Sequence, residues 1–256
     1  MNSRFPFLWL LLVFLLIPVA AAVAALRFSP TWQEHWRKCE VIRQVHERSG
    51  MVRVKRAGPE WIRRLGGYYR DGESDSPIGV YDQVVEVRLI DAGVSDDLLA
   101  ELAELKGLKI LNLSQNEITG AGVEHLTRLK HLEDLDLAYT KVGDDDLGPL
   151  GEIRSLKRLD LSHNRLSGRG FHCLEPLENL ETLCLVATPL RDGALEKIRK
   201  LPSLTMCNIF GCRHLSRESV ETFQRGRPDC RLFGVKSIEP FWKEADDSKR
   251  ETANEQ

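Results

Sequence analysis

Apolar residues return along the middle of the chain with a period of 24 residues. Each unit has the pattern L-x-x-L-x-L, and the complete pattern occurs at Leu108, Leu111 and Leu113; Leu132, Leu135 and Leu137; Leu156, Leu159 and Leu161; and Leu180, Leu183 and Leu185. Blocks that begin at Val84 and Leu204 keep the same phase. Because strand side chains alternate between two faces, the x-L-x-L part predicts a short strand with both leucines in a core. Six units in one phase indicate a repeat protein.

The rest of each unit predicts a turn and a short helix. A small polar residue follows each strand, and we expect it to satisfy backbone groups in the turn: Asn116, Thr140, Asn164, Thr188 and Cys212. A second apolar set, such as Leu99, Leu102 and Leu105, then predicts a helix, with N-cap candidates at Ser95, Thr119 and Ser167. Asp144, Asp145 and Asp146 are interpreted as a helix start, where carboxylates favour the helix dipole.

This pattern resembles that of the leucine-rich-repeat family. The resemblance implies an α/β solenoid of about six units over residues 84–233, with a parallel β ribbon on the concave face and short helices on the convex face. It also implies an interaction scaffold. Upstream, a looser similarity to bacterial membrane-tethered leucine-rich-repeat proteins rests mainly on Trp61, Arg63, Arg64 and Leu65.

Residues 5–26 carry no charge, and as a helix they would be about 33 Å long, enough to cross a hydrocarbon core of roughly 30 Å. Two interpretations stay open: a transmembrane anchor behind a short flank (residues 1–4), or a signal peptide cleaved after Ala22-Val23-Ala24. We favour the anchor, because the run is long and Trp32 and Trp36 follow it. The signal-like layout favours repeats on the extracytoplasmic side, or secretion after cleavage, whereas the basic residues after the run favour the opposite orientation.

Residues 27–83 predict a linker and an N-terminal cap for the solenoid, whose first unit would otherwise expose an apolar edge. Thr31–Arg48 reads as a helix, Met51–Val54 as a strand, the segment from Pro59 as a brief helix, and Gly72–Gly79 as an exposed loop. At the other end, Cys230–Phe233 is expected to form an edge strand or cap. The charged residues of 234–256 predict a disordered tail.

Composition excludes several functional classes. The formal net charge of -2, with interspersed signs, argues against a nucleic-acid binder. Cys207, Cys212, His214 and Cys230 lack the close pairs that zinc sites use, so we predict neither a metal nor a cofactor. A disulfide from Cys230 to Cys207 or Cys212 stays open if the domain is exported.

The sequence offers no catalytic constellation. His163 follows a strand and could lie near Asp136 or Asp160, but no serine or cysteine nucleophile with a supporting oxyanion turn can be assembled around it. Phosphate-binding glycine loops are absent from the sequence. We therefore predict that the protein is not an enzyme.

The outward strand positions form the candidate binding surface. Its candidate residues are Arg88, Ile110, Asn112, Asp134, Asp136, Arg158, Asp160, Thr182, Met206, Asn208 and Phe210. The middle is acidic and the carboxyl end is apolar, which suits a protein or peptide partner. A plainer interpretation is an ordinary surface beside a cap that covers Phe210. The sequence thus favours a non-catalytic, membrane-tethered interaction module; the alternative is a structural envelope or assembly scaffold without a dedicated ligand.

Overall fold

The computed structural model describes residues 30–55 and 82–237, which form one eight-stranded sheet with its strands in chain order. Strand β1 pairs antiparallel with β2, and β2 to β8 are parallel. The strands are β1 (Met51–Lys55), β2 (Gln83–Arg88), β3 (Ile110–Asn112), β4 (Asp134–Asp136), β5 (Arg158–Asp160), β6 (Thr182–Cys184), β7 (Met206–Asn208) and β8 (Arg231–Phe233).

Several predictions fall outside the described residues. They are the uncharged segment 5–26, the brief helix from Pro59, the loop Gly72–Gly79 and the tail from residue 238 onward. The first residues of the predicted disordered tail are ordered instead: residues 235–237 are helical, and the Ser237 hydroxyl accepts from the Gly211 N–H at 3.0 Å. Across 30–55 and 82–237, no helix has both the length and the apolar character needed to cross a bilayer.

The register of the parallel strands confirms the predicted solenoid. From β3 to β7 every residue pairs with the residue 24 places further on, so that Leu111, Leu135, Leu159 and Leu183 stack in one ladder. All four are at most 1% exposed. Strands stack about 4.8 Å apart while packed helices need 8–10 Å, so the solenoid curves with the ribbon on its concave side. Each buried leucine contributes roughly 1.5–3 kcal/mol.

The opposite face carries short helices, as predicted, but not every unit forms an α-helix. The α-helices are α1 (Pro30–Glu47), α2 (Asp96–Leu102), α3 (Gly120–Leu126), α4 (Asp192–Ile198) and α5 (Arg217–Gly226). The two middle units contain 3₁₀ segments instead, at Asp144–Asp146, Pro149–Glu152 and Arg169–Leu174. Pro149 lacks the N–H that a continuous α-helix from Asp144 would need. Gly168 begins the last segment in a left-handed conformation, with φ of 94°.

The predicted role of the turn asparagines is confirmed. The Asn116 side-chain oxygen accepts hydrogen bonds from the Ala92 and Val94 N–H groups, at 3.1 and 2.9 Å. Its amide donates to the Leu89 and Leu113 carbonyls at 2.6 and 2.9 Å. Each amide thus joins two neighbouring coils. The shorter residues at this position make fewer of these bonds: the Thr188 hydroxyl and the Cys212 thiol both donate to the Leu185 carbonyl.

A second link joins the helix starts of neighbouring units. Asp144 accepts hydrogen bonds from the next unit: Ser167 Oγ at 2.6 Å, and the N–H groups of Ser167, Gly168 and Gly170 at 2.9, 2.9 and 3.2 Å. Asp96 accepts from the Thr119 N–H and hydroxyl, and Asp192 from the Ser216 N–H. Asp144 therefore lies at a helix start, as predicted, and its carboxylate also caps the helix start of the following unit.

The three predicted N-caps have different outcomes. Thr119 caps α3, and its side chain accepts from the Ala121 N–H. Ser95 lies at the cap of α2 but makes no side-chain capping bond. Ser167 precedes the actual cap, Gly168, and its hydroxyl donates to the aspartate of the preceding unit.

The first coil is covered by α1 and β1. Val41, Ile42 and Val45 of α1 are at most 6% exposed and join the core. Helix α1 lies within one residue of its predicted bounds at each end. Glu86 alternates with the buried Val87 as an outward-facing residue would, yet it is 1% exposed, with Arg53 and Arg88 beside it at 2.8 and 2.6 Å. Strand β1 runs next to β2 and brings Arg53 into register with Glu86.

At the carboxyl end, β8 continues the parallel sheet, as expected for an edge strand. Cys207, Cys212 and Cys230 are buried here, and all six cysteines of the chain are free thiols in this structure. Neither of the disulfides that the sequence left open, from Cys230 to Cys207 or Cys212, is formed.

Candidate functional site: the ribbon face

Ten of the eleven candidate residues lie on the outward face of the parallel strands, and the eleventh, Phe210, follows β7; this surface is here called the ribbon face. Strand register arranges ten of them in two rows, an outer row with Ile110, Asp134, Arg158, Thr182 and Met206, and an inner row with Arg88, Asn112, Asp136, Asp160 and Asn208. Phe210 lies two residues beyond Asn208. The inner row ends at Phe233 of β8, and Cys184 lies between Asp160 and Asn208.

The middle of the ribbon face is acidic. Asp134 is paired with Arg158, with the carboxylate 2.9 Å from Nε. Asp136 accepts from the Asn112 amide and the Ala138 N–H, at 2.8 and 3.0 Å, and Asp160 accepts from a backbone N–H. These donors are neutral, and no described cation lies within ion-pair distance of Asp136 or Asp160.

Burial and the neighbouring carboxylates both raise the pKa of Asp136. Burial raises the pKa of this carboxyl above its ordinary value, and the neighbouring Asp160 and Asp134 raise it further, although hydrogen bonds partly oppose the shift. Burial and the same three aspartates raise the pKa of the Cys184 thiol to about 11. This half-buried thiol is therefore protonated at neutral pH and is a poor nucleophile.

The carboxyl end of the ribbon face is apolar and exposed. Met206, Phe210 and Phe233 are 37%, 56% and 37% exposed, and we call them the apolar end. Asn208 lies among them, and its side-chain oxygen accepts from the Phe210 N–H at 3.1 Å. The Arg231 guanidinium lies over the Phe233 ring, 5.6 Å from its centroid. Among the described residues, none covers Phe210, and more than half of its surface is exposed.

Sequence reasoning missed two aromatic features of this face. Tyr139 and His163 stack at a centroid distance of 3.9 Å and an interplanar angle of 10°. Both belong to a ladder of left-handed turn residues at 24-residue spacing, whose φ values lie between 48° and 60°: Asp91, Gln115, Tyr139, His163 and Ala187. The repeat spacing gives the only signal for this ladder in the sequence. Phe233 was assigned to the cap, and its place in the inner row follows only from the pairing of β8.

The structure also places the residues considered for metal binding. Cys207 and Cys212 point into the core, while His214 is exposed. Over residues 30–55 and 82–237, no three histidine, cysteine, aspartate or glutamate side chains are grouped so that they could hold a metal ion. What the ribbon face offers is charge, amide groups and exposed apolar side chains on a hydrogen-bonded sheet.

Comparison with known protein families identifies the type of repeat. Family models described as leucine-rich repeats match residues 108–126, 128–151 and 155–177. No curated protein matches the chain. Among solved structures, a leucine-rich-repeat protein of Leptospira interrogans is 25% identical, with 52% of this chain and 33% of that chain covered and a TM-score of 0.43. An internalin of Listeria monocytogenes is 18% identical, with 60% and 51% covered and a TM-score of 0.42. This chain therefore spans between a third and about half of their lengths.

Proposed function

Because this chain is a leucine-rich-repeat protein, we propose that it is a non-catalytic module that binds a protein or peptide on its ribbon face. The observation that carries the proposal is the apolar end, where Met206, Phe210 and Phe233 lie exposed together beside a row of aspartates. Aromatic residues, methionine and arginine are enriched in protein interfaces. Exposed apolar side chains that cluster, rather than scatter, mark interaction sites.

The hydrogen bonds that hold the strands together also support a binding role. Each strand is held to its neighbours by the ladder of backbone hydrogen bonds and by side chains such as Asn116 that join adjacent coils. A preorganised surface binds with a smaller loss of conformational entropy. The thiol on this face, Cys184, has a raised pKa, which disfavours a nucleophilic role.

We further propose that residues 5–26 anchor the chain in a membrane, with the repeats on the extracytoplasmic side. The support is the uncharged run of 22 residues, followed by a cap and a solenoid. Cleavage of the same segment would make the protein secreted. Either outcome leaves the ribbon face free to meet a protein partner outside the cytosol.

A photo-crosslinking experiment tests the binding proposal in cells that express the full chain. A photoreactive amino acid at Thr182, in the middle of the ribbon face, should form an adduct with a partner protein. The same group at Asp145, which is exposed on the opposite face, should not form that adduct. Charge reversal at Asp136 and Asp160 should abolish capture at Thr182, while Asp145→Lys should leave it unchanged.

Met206→Glu is the second blocking variant, because Asp136 and Asp160 also hold backbone N–H groups and their reversal could disturb the turn. Its side chain is exposed, so the fold should tolerate the change. Equal capture by the wild type and all of these variants would overturn the proposal. Adducts formed only between copies of this chain would favour an assembly scaffold instead.

A further inference from the structure

The apolar end and the aspartate row together define the kind of segment that fits them. We propose that the occupant is an extended segment of a partner protein that carries a large apolar side chain and, about four residues away, a lysine or arginine. The apolar side chain contacts Met206, Phe210 and Phe233, and the basic group reaches Asp160. This inference rests on the proposed function and specifies the partner that the ribbon face would select.

The spacing comes from the strand register. Phe233 and Asp160 lie in the same row, on β8 and β5, so they are three strand steps apart. At about 4.8 Å per step this is roughly 14 Å, and an extended chain covers that distance in about four residues at about 3.3 Å each. Measured from Phe210, which follows β7, or to Asp136 on β4, the separation varies from about three to six residues.

The charge expected of the partner follows from which aspartates of the ribbon face already have a basic neighbour. Asp134 has Arg158 at 2.9 Å, whereas Asp136 and Asp160 have only neutral donors among the described residues. Two neighbouring, half-buried carboxylates repel each other, as the raised pKa of Asp136 also indicates. A lysine or arginine from a partner would relieve that repulsion, and an acidic side chain would add to it.

Arg231 sets the direction in which the segment lies. Its guanidinium lies over the Phe233 ring at the outer edge of the apolar end, 5.6 Å from the ring centroid. A basic group in the partner is therefore repelled from this edge and attracted toward β5. The apolar residue should lie toward the carboxyl end of the solenoid, and the basic residue toward its middle.

A peptide array tests the inference with the full chain, purified in mild detergent, as the probe. The array holds twelve-residue peptides of glycine and serine, each with one tryptophan and one lysine separated by one to nine positions. Binding should peak at separations of three to six and fall at least fivefold at one and at nine. Replacement of lysine by glutamate in the peptide should remove the peak. A flat response to spacing, or equal binding of the glutamate series, overturns the inference.

Matched variants locate the contact. Phe210→Ser and Asp160→Asn should each lower the peak at least fivefold. The controls are Trp36→Ser, an aromatic residue of α1 that is 57% exposed, and Asp145→Asn, an exposed carboxyl on the opposite face; both should leave the peak unchanged. Equal effects of test and control variants would contradict the proposed contact.

The same array and variants distinguish two other possible occupants of the apolar end. If the chain's own segment with Phe241 and Trp242 covers the apolar end, replacing both by serine will increase array binding severalfold, which would overturn the assignment to a partner. Sedimentation that shows self-association lost in Phe210→Ser would overturn it in favour of a second copy.

The two experiments also separate this inference from the proposed function. If crosslinking at Thr182 succeeds while array binding does not depend on spacing, only this inference is wrong. If crosslinking also fails, the proposed function is wrong as well.

Discussion

The carboxylate that links the middle units offers the sharpest test of the fold. Replacing Asp144 by alanine removes the acceptor for four hydrogen bonds from the next unit, three of them from backbone N–H groups of Ser167, Gly168 and Gly170. A hydrogen bond contributes about 0.5–1.5 kcal/mol net, so four give about 2–6 kcal/mol. The carboxylate is half-buried, and water that reaches the freed donors offsets part of this loss. We therefore expect Asp144→Ala to lower the free energy of unfolding by about 2–3 kcal/mol. This is somewhat more than the loss of an ordinary N-cap, because several backbone N–H groups lose their acceptor at once.

Urea unfolding of the full chain, followed by far-ultraviolet circular dichroism, measures this effect. Asp145→Ala is the matched control: its side chain is exposed, and the change should stay within about 0.5 kcal/mol. Asp144→Asn keeps one oxygen acceptor and should cost about half as much as alanine. If Asp144→Ala costs no more than Asp145→Ala, the hydrogen bonds between units do not stabilise the solenoid as described.

The pH dependence provides an independent readout of the same carboxyl. Burial alone would raise the pKa of Asp144, but the hydrogen bonds from Ser167, Gly170 and Gly168 outweigh it and hold the pKa below its ordinary value. A carboxyl whose pKa is lower in the folded state stabilises the fold above its unfolded pKa of about 3.9, and this contribution is lost as the pH falls through the folded value. The stability difference between wild type and Asp144→Ala should therefore be largest near neutral pH and shrink on acidification.

Three further predictions follow from the turns, the acidic row and the anchor. Asn164→Ala should lower the free energy of unfolding by about 2–4 kcal/mol in the same urea assay, because the Thr140 N–H loses its acceptor and the Leu137 and Leu161 carbonyls each lose a donor, whereas Asn164→Thr should recover part of that loss. Asp136→Asn should gain stability relative to wild type as the pH rises from 3 to 6, since the raised pKa of Asp136 means that its charged form disfavours folding; an unchanged difference across that range would contradict the described repulsion. Alkaline phosphatase is active only outside the cytosol, and we propose that the repeats lie there. A fusion of this enzyme after Gln256 should therefore be active, whereas a stable but inactive fusion would place the repeats in the cytosol.

The repeat period was enough to predict the fold because each unit must bury the same face. Leucines two places apart can share a core only in a strand, and their recurrence at one phase requires that strands such as β4 and β5 stack in register. The same alternation identified the ribbon face, since Asp136 and Asp160 must face away from the leucines beside them. Fold and candidate surface are thus consequences of one periodicity.

What the pattern could not provide depends on contacts between units. Glu86 has the alternation of an exposed residue, yet β1 arrives from outside the repeat and buries it beside Arg53. The capping role of Asp144 requires knowing which helix starts touch. The stack of Tyr139 on His163 depends on left-handed turn residues that no apolar periodicity marks. Each of these is a tertiary contact without a local signature.

The carboxylates that join helix starts occur at Asp96, Asp144 and Asp192, so they recur every second unit, 48 residues apart. The units between them begin with glycines, and a side-chain carbon at Gly122 or Gly170 would collide with Asp96 or Asp144. Adjacent units are therefore not interchangeable: one supplies a carboxylate acceptor, and the next supplies backbone N–H and hydroxyl donors. Deleting a single unit would set one aspartate against another, whereas deleting two would restore the alternation. These links between helix starts therefore repeat with a pair of coils, not with a single coil.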